Sequence, residues 1–362
     1  MSLCTAHVRY WPIADIARIR PFRRAPPRWY DDLDLAGALM RRRDFIAFVG
    51  VAAAWPVGTL AQPKGLFRLG ALLYSDPQSD PQMAAIRRGL GNLGYVEGRN
   101  LSIEYRYAEG RLERLPILAA QLVVLQPNVI LAIGGDVAPI AKKFDETIPL
   151  VFVSSADPEQ LGLVGSLRRP GGNATGVTLL QDALASKRLE LLKEAAPQIS
   201  QVAFLWNPEH PDNEQREAQR AAKALGLQLH LVEVRGPDDF DLAFRAANTA
   251  GVDSMYVVSS RQTVLNLKKI IQFATVNRIP LAGGWGAWAK EGGLFSYGPD
   301  GVAIAGRAAN YIDKIFKGAN PADLPVEQPD KFELIINLKT ARTLGLSVPH
   351  TLLSRADELI DS

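Results

Sequence analysis

The sequence predicts an α/β protein in which parallel sheets are covered on both faces by helices. Three observations lead there. Short apolar runs recur at Phe67–Leu73, Val129–Ile133, Leu150–Val153, Val202–Trp206, Met255–Val258 and Ile279–Ala282. A run that is apolar on both sides of the pleat belongs to a strand buried on both faces, which is the condition of a parallel sheet. Between these runs lie segments of helical spacing, so strand and helix alternate along the chain. Each run also stops in small or polar residues, where open parallel sheets carry their ligand crevice.

The elements follow in order. Phe67–Leu73 ends in Tyr74-Ser75-Asp76, and Met83, Ile86, Leu90 and Leu93 then fall at intervals of three and four. Leu112, Leu115, Leu118, Leu122 and Leu125 repeat that spacing before Val129–Ile133, which ends in Gly134-Gly135-Asp136. Leu150–Val153 ends in Ser154-Ser155-Ala156-Asp157. Helical segments at Leu184–Ala195, Glu214–Leu225, Val264–Val276 and Val302–Phe316 separate the later strands. Those strands end in Asn207-Pro208, Ser259-Ser260 and Gly283-Gly284-Trp285. Six such ends fit two sheets turned toward one cleft. For any single loop, ordinary helix capping by Gly, Ser or Asp is an equal explanation.

Turn chemistry at Pro170-Gly171-Gly172-Asn173 precedes a first break between lobes near Gly176–Leu180. A second crossing is expected at Phe295–Pro299 and a third near Pro321–Pro329. The first lobe would hold residues 66–178 plus about 299–322, and the second 179–295 plus about 328–362.

The chain has 362 residues, enough for two cores of ordinary size. With 41 Lys+Arg against 38 Asp+Glu the net charge is +3, which does not call for nucleic acid as a partner. Residues 1–39 are rich in Arg and Pro without a period and read as a disordered or misannotated extension. Residues 40–61 read as an export signal: a basic cluster leads into the uncharged run Phe45–Leu60, which closes at Thr59-Leu60-Ala61. That run is short for a spanning helix, which needs about 20 residues. Arg42, Arg43 and Phe45 fit the twin-arginine export pattern. A membrane anchor or chance basic residues are the alternatives. The one cysteine, Cys4, lies in this leading segment, so thiolate metal sites, disulfides and a cysteine nucleophile are not expected in the mature chain. The expected location is the periplasm.

At several stretches the chain resembles the ABC transporter substrate-binding family related to tryptophan and tyrosine uptake proteins. They include Leu93-Gly94-Tyr95-Val96-Glu97-Gly98-Arg99-Asn100, Pro170-Gly171-Gly172-Asn173-Ala174-Thr175-Gly176 and Lys187-Arg188-Leu189-Glu190-Leu191-Leu192-Lys193. Further matches are Trp206-Asn207-Pro208, Gly293-Leu294-Phe295-Ser296-Tyr297-Gly298-Pro299-Asp300 and Phe332-Glu333-Leu334-Ile335-Ile336-Asn337. Each is weak alone; their order and spacing make the match specific. The resemblance implies the type I periplasmic-binding fold, with two Rossmann-like lobes, three crossover segments and a ligand between the lobes. It further implies an importer's binding protein that serves an inner-membrane permease and uses no cofactor. A monomer is expected.

A solute cleft needs a few placed polar groups and a shaped apolar wall. For an amino-acid-like solute, Asp300 is the first candidate to meet the ammonium, since it matches an acid of the family's Tyr-Gly-x-Asp motif; capping the helix near Val302 is the competing role. Asp157 also matches a family position, with the same competing role. Ser75, Gly135, Asp136, Ser154 and Ser155 are placed to meet the solute carboxylate if the strand ends are read correctly. Asp136 departs from the small or hydroxyl residues usual in the family and would repel a carboxylate unless it points away as a cap. Trp206, Trp285 and Tyr297 could wall the ligand or could be core aromatics. Ser259 and Ser260 could supply hydroxyls. Arg261 could pair with an anion, but a helix-surface role is the expectation.

The histidines His7, His210, His230 and His350 are scattered and off metal spacing. His210 reads as a surface loop residue. No nucleophile elbow, P-loop or dinucleotide fingerprint is present. A binding protein is therefore expected. A periplasmic sensing domain for a membrane receptor and a cleft enzyme are the other readings.

Overall fold

The computed structural model describes residues 65–76, 80–211 and 213–361. Arg42, Arg43 and Phe45 and the rest of the expected export signal lie outside the described residues.

The first sheet comprises β1 (Phe67–Leu73), β2 (Leu101–Tyr107), β3 (Val129–Ile133), β4 (Leu150–Ser154) and β5 (Ala174–Thr178), all parallel, in the order β2-β1-β3-β4-β5. Its helices are α1 (Pro81–Asn92), α2 (Leu115–Val124) and α3 (Val137–Phe144). The alternation of side chains explains the layers. Leu69, Ala71 and Leu73 of β1 pack with Met83, Ile86 and Leu90 of α1, while Leu72 packs with Leu115, Leu118 and Leu122 of α2. Full burial of one such side chain stabilises by roughly 1.5–3 kcal/mol.

The second sheet comprises β6 (Gln201–Trp206), β7 (Gln228–Glu233), β8 (Ser254–Val257), β9 (Leu281–Gly283), β10 (Phe295–Gly298), β11 (Glu333–Asn337) and β12 (Glu358–Ile360). Their order is β12-β11-β10-β9-β8-β6-β7, parallel except for the antiparallel pair β10–β11. The associated helices are α4 (Ala185–Ala195), α5 (Glu214–Leu225), α6 (Phe240–Thr249), α7 (Arg261–Leu265), α8 (Leu267–Val276) and α9 (Ala287–Lys290). Val202, Phe204 and Tyr256 face α4 and α5, and Ala203, Leu205 and Met255 face α6 and α8.

The long helix α10 (Gly301–Phe316) follows β10 but joins the first sheet, where Gly306 and Ala309 meet Ala85 and Gly89 of α1. The chain returns along β5, with Glu327 bridging Val177, and enters β11. Short helices α11 (Leu338–Leu344) and α12 (His350–Leu353) close the second lobe. Two α/β lobes joined by three crossing segments are thus present, as the resemblance implied. Phe295–Gly298, expected at a crossing, forms β10 because Phe295 is fully buried, and the chain crosses at Pro299–Asp300. Among the described residues no helix is long and apolar enough to cross a membrane.

Candidate functional site

The strand tips of the two lobes meet along one seam, and buried polar side chains bridge it. Asp80 stands before Pro81, and its Oδ1 accepts the backbone N–H groups of Gln82 and Met83, both at 3.0 Å. An acid capping a helix that starts with proline is a strong local signal, because the proline has no N–H to leave unpaired. The other oxygen, Oδ2, accepts the Ser75 hydroxyl at 2.6 Å and, from the second lobe, Nη2 of Arg261 at 2.8 Å. Arg261 opens α7, is only 4% exposed and lies with its Cγ near Gly134. It is not a helix-surface residue: the opposite lobe covers it.

A second bridge lies beside the first. His210 Nδ1 is 2.5 Å from Asp136 Oδ1, and His210 Nε2 is 3.4 Å from Ser155 Oγ. His210 is 5% exposed, so the surface-loop expectation is overturned. Asp136 occupies the cap position of α3 but makes no capping bond there; it turns to the histidine instead. Gly135 permits this approach, since a Cβ there would stand 3.1 Å from Ser155 Oγ and 3.2 Å from His210 Cε1. Burial, with Asp136 nearby, pushes the phenol of Tyr74 far above its ordinary range, so Tyr74 stays neutral and donates to the Gly110 carbonyl at 2.8 Å. At the rim, Arg111 pairs with Asp238 at 3.5 Å, an exposed contact of small value.

Beneath the seam the second lobe has a fully buried ionic network. Arg188 donates through Nη1 to Glu214 Oε1 at 2.6 Å, through Nε to the Tyr297 carbonyl at 2.8 Å and through Nη2 to Gln181 Oε1. Tyr256 donates to the same Glu214 oxygen at 2.6 Å, and the Ser259 N–H to Oε2 at 3.0 Å. Burial holds the Tyr256 phenol well above its ordinary value. Gly284 lies against Ser259, Gln181 and Arg188, and a Cβ there would collide with all three. The network fixes the first crossover, through Gln181, and β10, through Tyr297, to one core position.

The other expected residues divide. Ser259 is buried with its hydroxyl unpartnered. Ser260 caps α7, accepting from the Thr263 N–H at 3.3 Å. Ser154 donates to the Ala156 carbonyl at 2.9 Å, so its hydroxyl serves a local turn and not the seam. Asp157 accepts from the Glu159 N–H and from Gln160 Nε2, both at 2.9 Å, and so holds a turn; the helix expected after it is not formed, and there is no cap there. Tyr297 packs in the second core near Phe332, 6.3 Å between ring centres, as a core aromatic and not a ligand wall. Trp206 is half-buried with its indole N–H unpartnered. Asp300 is exposed and caps α10 through the Val302 and Ala303 N–H groups, both at 3.0 Å.

Trp285, Asp300, Arg261 and Gln82 line one cavity of about 260 Å³ at the edge of the seam, with Val264 and Ile335 as apolar wall. The residues that sequence reasoning missed are those whose partner lies in the other lobe: Asp80, His210 and Arg261. Asp80-Pro81 was a readable cap signal; nothing local marks its pairing with Arg261. Among the described residues no cluster of His, Cys, Asp and Glu is arranged to hold a metal ion.

The profile of the ABC transporter substrate binding protein family matches residues 71–360. The tyrosine-binding protein of Clostridioides difficile (strain R20291) is 25% identical over 276 residues, 76% of this chain and 79% of that protein. A conserved domain protein from Vibrio cholerae O1 biovar El Tor, known as a crystal structure, is 26% identical with a TM-score of 0.75, covering 81% of this chain and 99% of its own. The ABC domain from Streptococcus pneumonia solved with L-Trp is 24% identical with a TM-score of 0.74, covering 81% and 99%. At that identity the likeness is one of fold.

Proposed function

Since the chain belongs to the ABC transporter substrate-binding protein family, we propose that it is the capture component of an importer and closes its two lobes on a small amino-acid-like solute. It has the type I periplasmic-binding fold and is a binding protein, not an enzyme. The observation that carries the proposal is the seam itself. Polar side chains from both lobes, Asp80, Asp136, Arg261 and His210, are buried against each other and come apart only when the lobes do. A single gap that opens and shuts about three crossing strands of chain suits capture and release.

The cleft offers what a zwitterion needs. Asp300 carries an exposed carboxylate at the cavity, and Trp285 adds an aromatic wall. The relative from Clostridioides difficile that binds tyrosine supports an amino acid as the solute class. The signal-like segment around Arg42, Arg43 and Phe45 supports export, and an inner-membrane permease is the partner that such a capture protein serves.

Thermal-shift screening of the purified protein against the common L-amino acids tests the solute class. A ligand that binds only the folded form raises its stability by RT ln(1 + [L]/Kd), about 2.7 kcal/mol at one hundred times Kd. The bound solute should be recovered chemically unchanged and in stoichiometric amount. Product in place of solute, or no shift with any amino acid, overturns the proposal.

A further inference from the structure

Two donors at the seam cavity lack partners. Arg261 is 4% exposed and its Nε has none, although Nη2 is held by Asp80. Trp285 is 9% exposed and its Nε1 has none either. Both residues line the same cavity of about 260 Å³. Native proteins rarely leave buried polar atoms unpaired, and a charged one is the costlier omission. Neither a guanidinium nor an indole N–H can accept a hydrogen bond, so the missing group is an acceptor. A guanidinium offers its donors in a planar fork that matches a carboxylate, and only one arm of this fork is occupied by Asp80.

Charge on the cavity wall narrows the class. Arg261 is balanced by Asp80. Of the other charged lining residues, Lys290 is paired with Glu358 at 3.1 Å and Glu333 with Lys331 at 3.1 Å. Asp300 adds a carboxylate that has only backbone N–H groups as partners. A plain anion entering the cavity would meet Asp300 unfavourably, and a plain cation would meet Arg261. A molecule with a carboxylate at one end and an ammonium at the other satisfies both.

We infer that Arg261 is the carboxylate-reading residue of the cleft, receiving the solute's carboxylate on Nε with Trp285 Nε1–H beside it, while Asp300 meets the ammonium. This rests on the amino-acid reading of the function and deepens it. It assigns the carboxylate to a side chain from the second lobe and not to the hydroxyls at the strand tips of the first. Because Arg261 also reaches Asp80, a solute bound on its free edge joins a contact that already spans the seam. Carboxylate recognition and lobe closure are then served by one guanidinium.

The test is calorimetric titration of the full chain with the best-binding common L-amino acid and with its carboxamide, which keeps the ammonium and side chain but loses the anion. Wild-type protein should prefer the acid by about 10- to 100-fold, the worth of a charge-assisted hydrogen bond lost. Arg261→Gln also breaks the bridge to Asp80, so it should weaken both probes, but the acid by about 10- to 100-fold more, erasing the preference. Asp80→Asn, which breaks the bridge but keeps Arg261, should weaken both probes alike and preserve the preference. Thermal melts of the ligand-free variants establish that each is folded, and Arg261→Lys replaces Arg261→Gln if the latter is not. Equal binding of acid and carboxamide to wild type, or equal weakening of both by the Arg261 variant, overturns the inference alone. Binding of neither probe to wild type overturns it together with the amino-acid reading.

Discussion

His210 and Asp136 meet across the seam, Nδ1 to Oδ1 at 2.5 Å, although each belongs to a different lobe. With Ser155 Oγ 3.4 Å from the far side of the imidazole, the three residues have the order of a charge-relay system. The family's function lies elsewhere, and the array has a simpler physical role. It is a buried polar contact between the lobes, which parting them would break. His210→Ala leaves Asp136 buried without that partner in the closed form, which should shift the ligand-free protein toward opening. Small-angle scattering should report a larger radius of gyration for the variant, and solute affinity should fall about tenfold or more. Unchanged scattering and affinity would show that the contact carries no weight in closure.

Asp300 caps α10, and its proposed contact with the solute's ammonium is a second role that one substitution separates from the first. Asparagine accepts the same backbone N–H bonds from Val302 and Ala303, so Asp300→Asn keeps the cap of α10 and removes the charge. Urea unfolding should change by no more than about 0.5 kcal/mol. Amino-acid affinity should fall at least about tenfold, the scale of a charge-assisted contact. Asp300→Ala should add a loss of about 1 kcal/mol in stability. Undiminished affinity in the asparagine variant would remove Asp300 from the ligand site.

The Arg188–Glu214 pair is fully buried on both sides, so its partners are costly to remove singly. Arg188→Met should destabilise by about 3–5 kcal/mol because the buried Glu214 carboxylate loses this guanidinium. Adding Glu214→Gln should recover part of that loss, and the double-mutant cycle in urea gives the coupling. Additive losses would mean that the two side chains are not energetically linked.

Acid stability has a traceable contributor in Asp145. Its carboxylate accepts the N–H groups of Thr147 at 2.6 Å and Ile148 at 2.7 Å, and the Ile148 bond chiefly holds its pKa below the ordinary 3.8. A carboxyl depressed in the folded state adds stability above its unfolded pKa and loses it as pH falls through the folded value. Asp145→Asn should therefore melt lower than wild type at neutral pH, and the gap should close as the pH drops below 3.8. Melting curves across that range check it; a constant gap would contradict the assignment.

Much of the fold was legible because central strands must be apolar on both faces. β1, β3 and β4 stood out for that reason. The edge strands β2 and β7 did not, since Ser102, Glu104 and Arg106 in one, and Gln228, His230 and Glu233 in the other, interrupt the apolar run where one side meets water. Site legibility followed the same division between local and distant. Caps at Ser260 and Asp300 were foreseeable because donor and acceptor lie within three residues. Arg261 reads locally as a helix-surface residue because Asp80 is 181 positions away, and burial by another lobe leaves no mark on the local pattern.

Helix α10 covers a sheet whose strands were all laid down more than a hundred residues earlier in synthesis. A nascent chain that has not yet emitted Gly301–Phe316 therefore displays the Val151, Val153 and Val177 face of β4 and β5. Such a surface is adhesive and invites mispairing between unfinished molecules. Premature termination before Gly301 should accordingly yield an insoluble fragment and not a working half, and any split of the gene into two polypeptides would have to respect that late return.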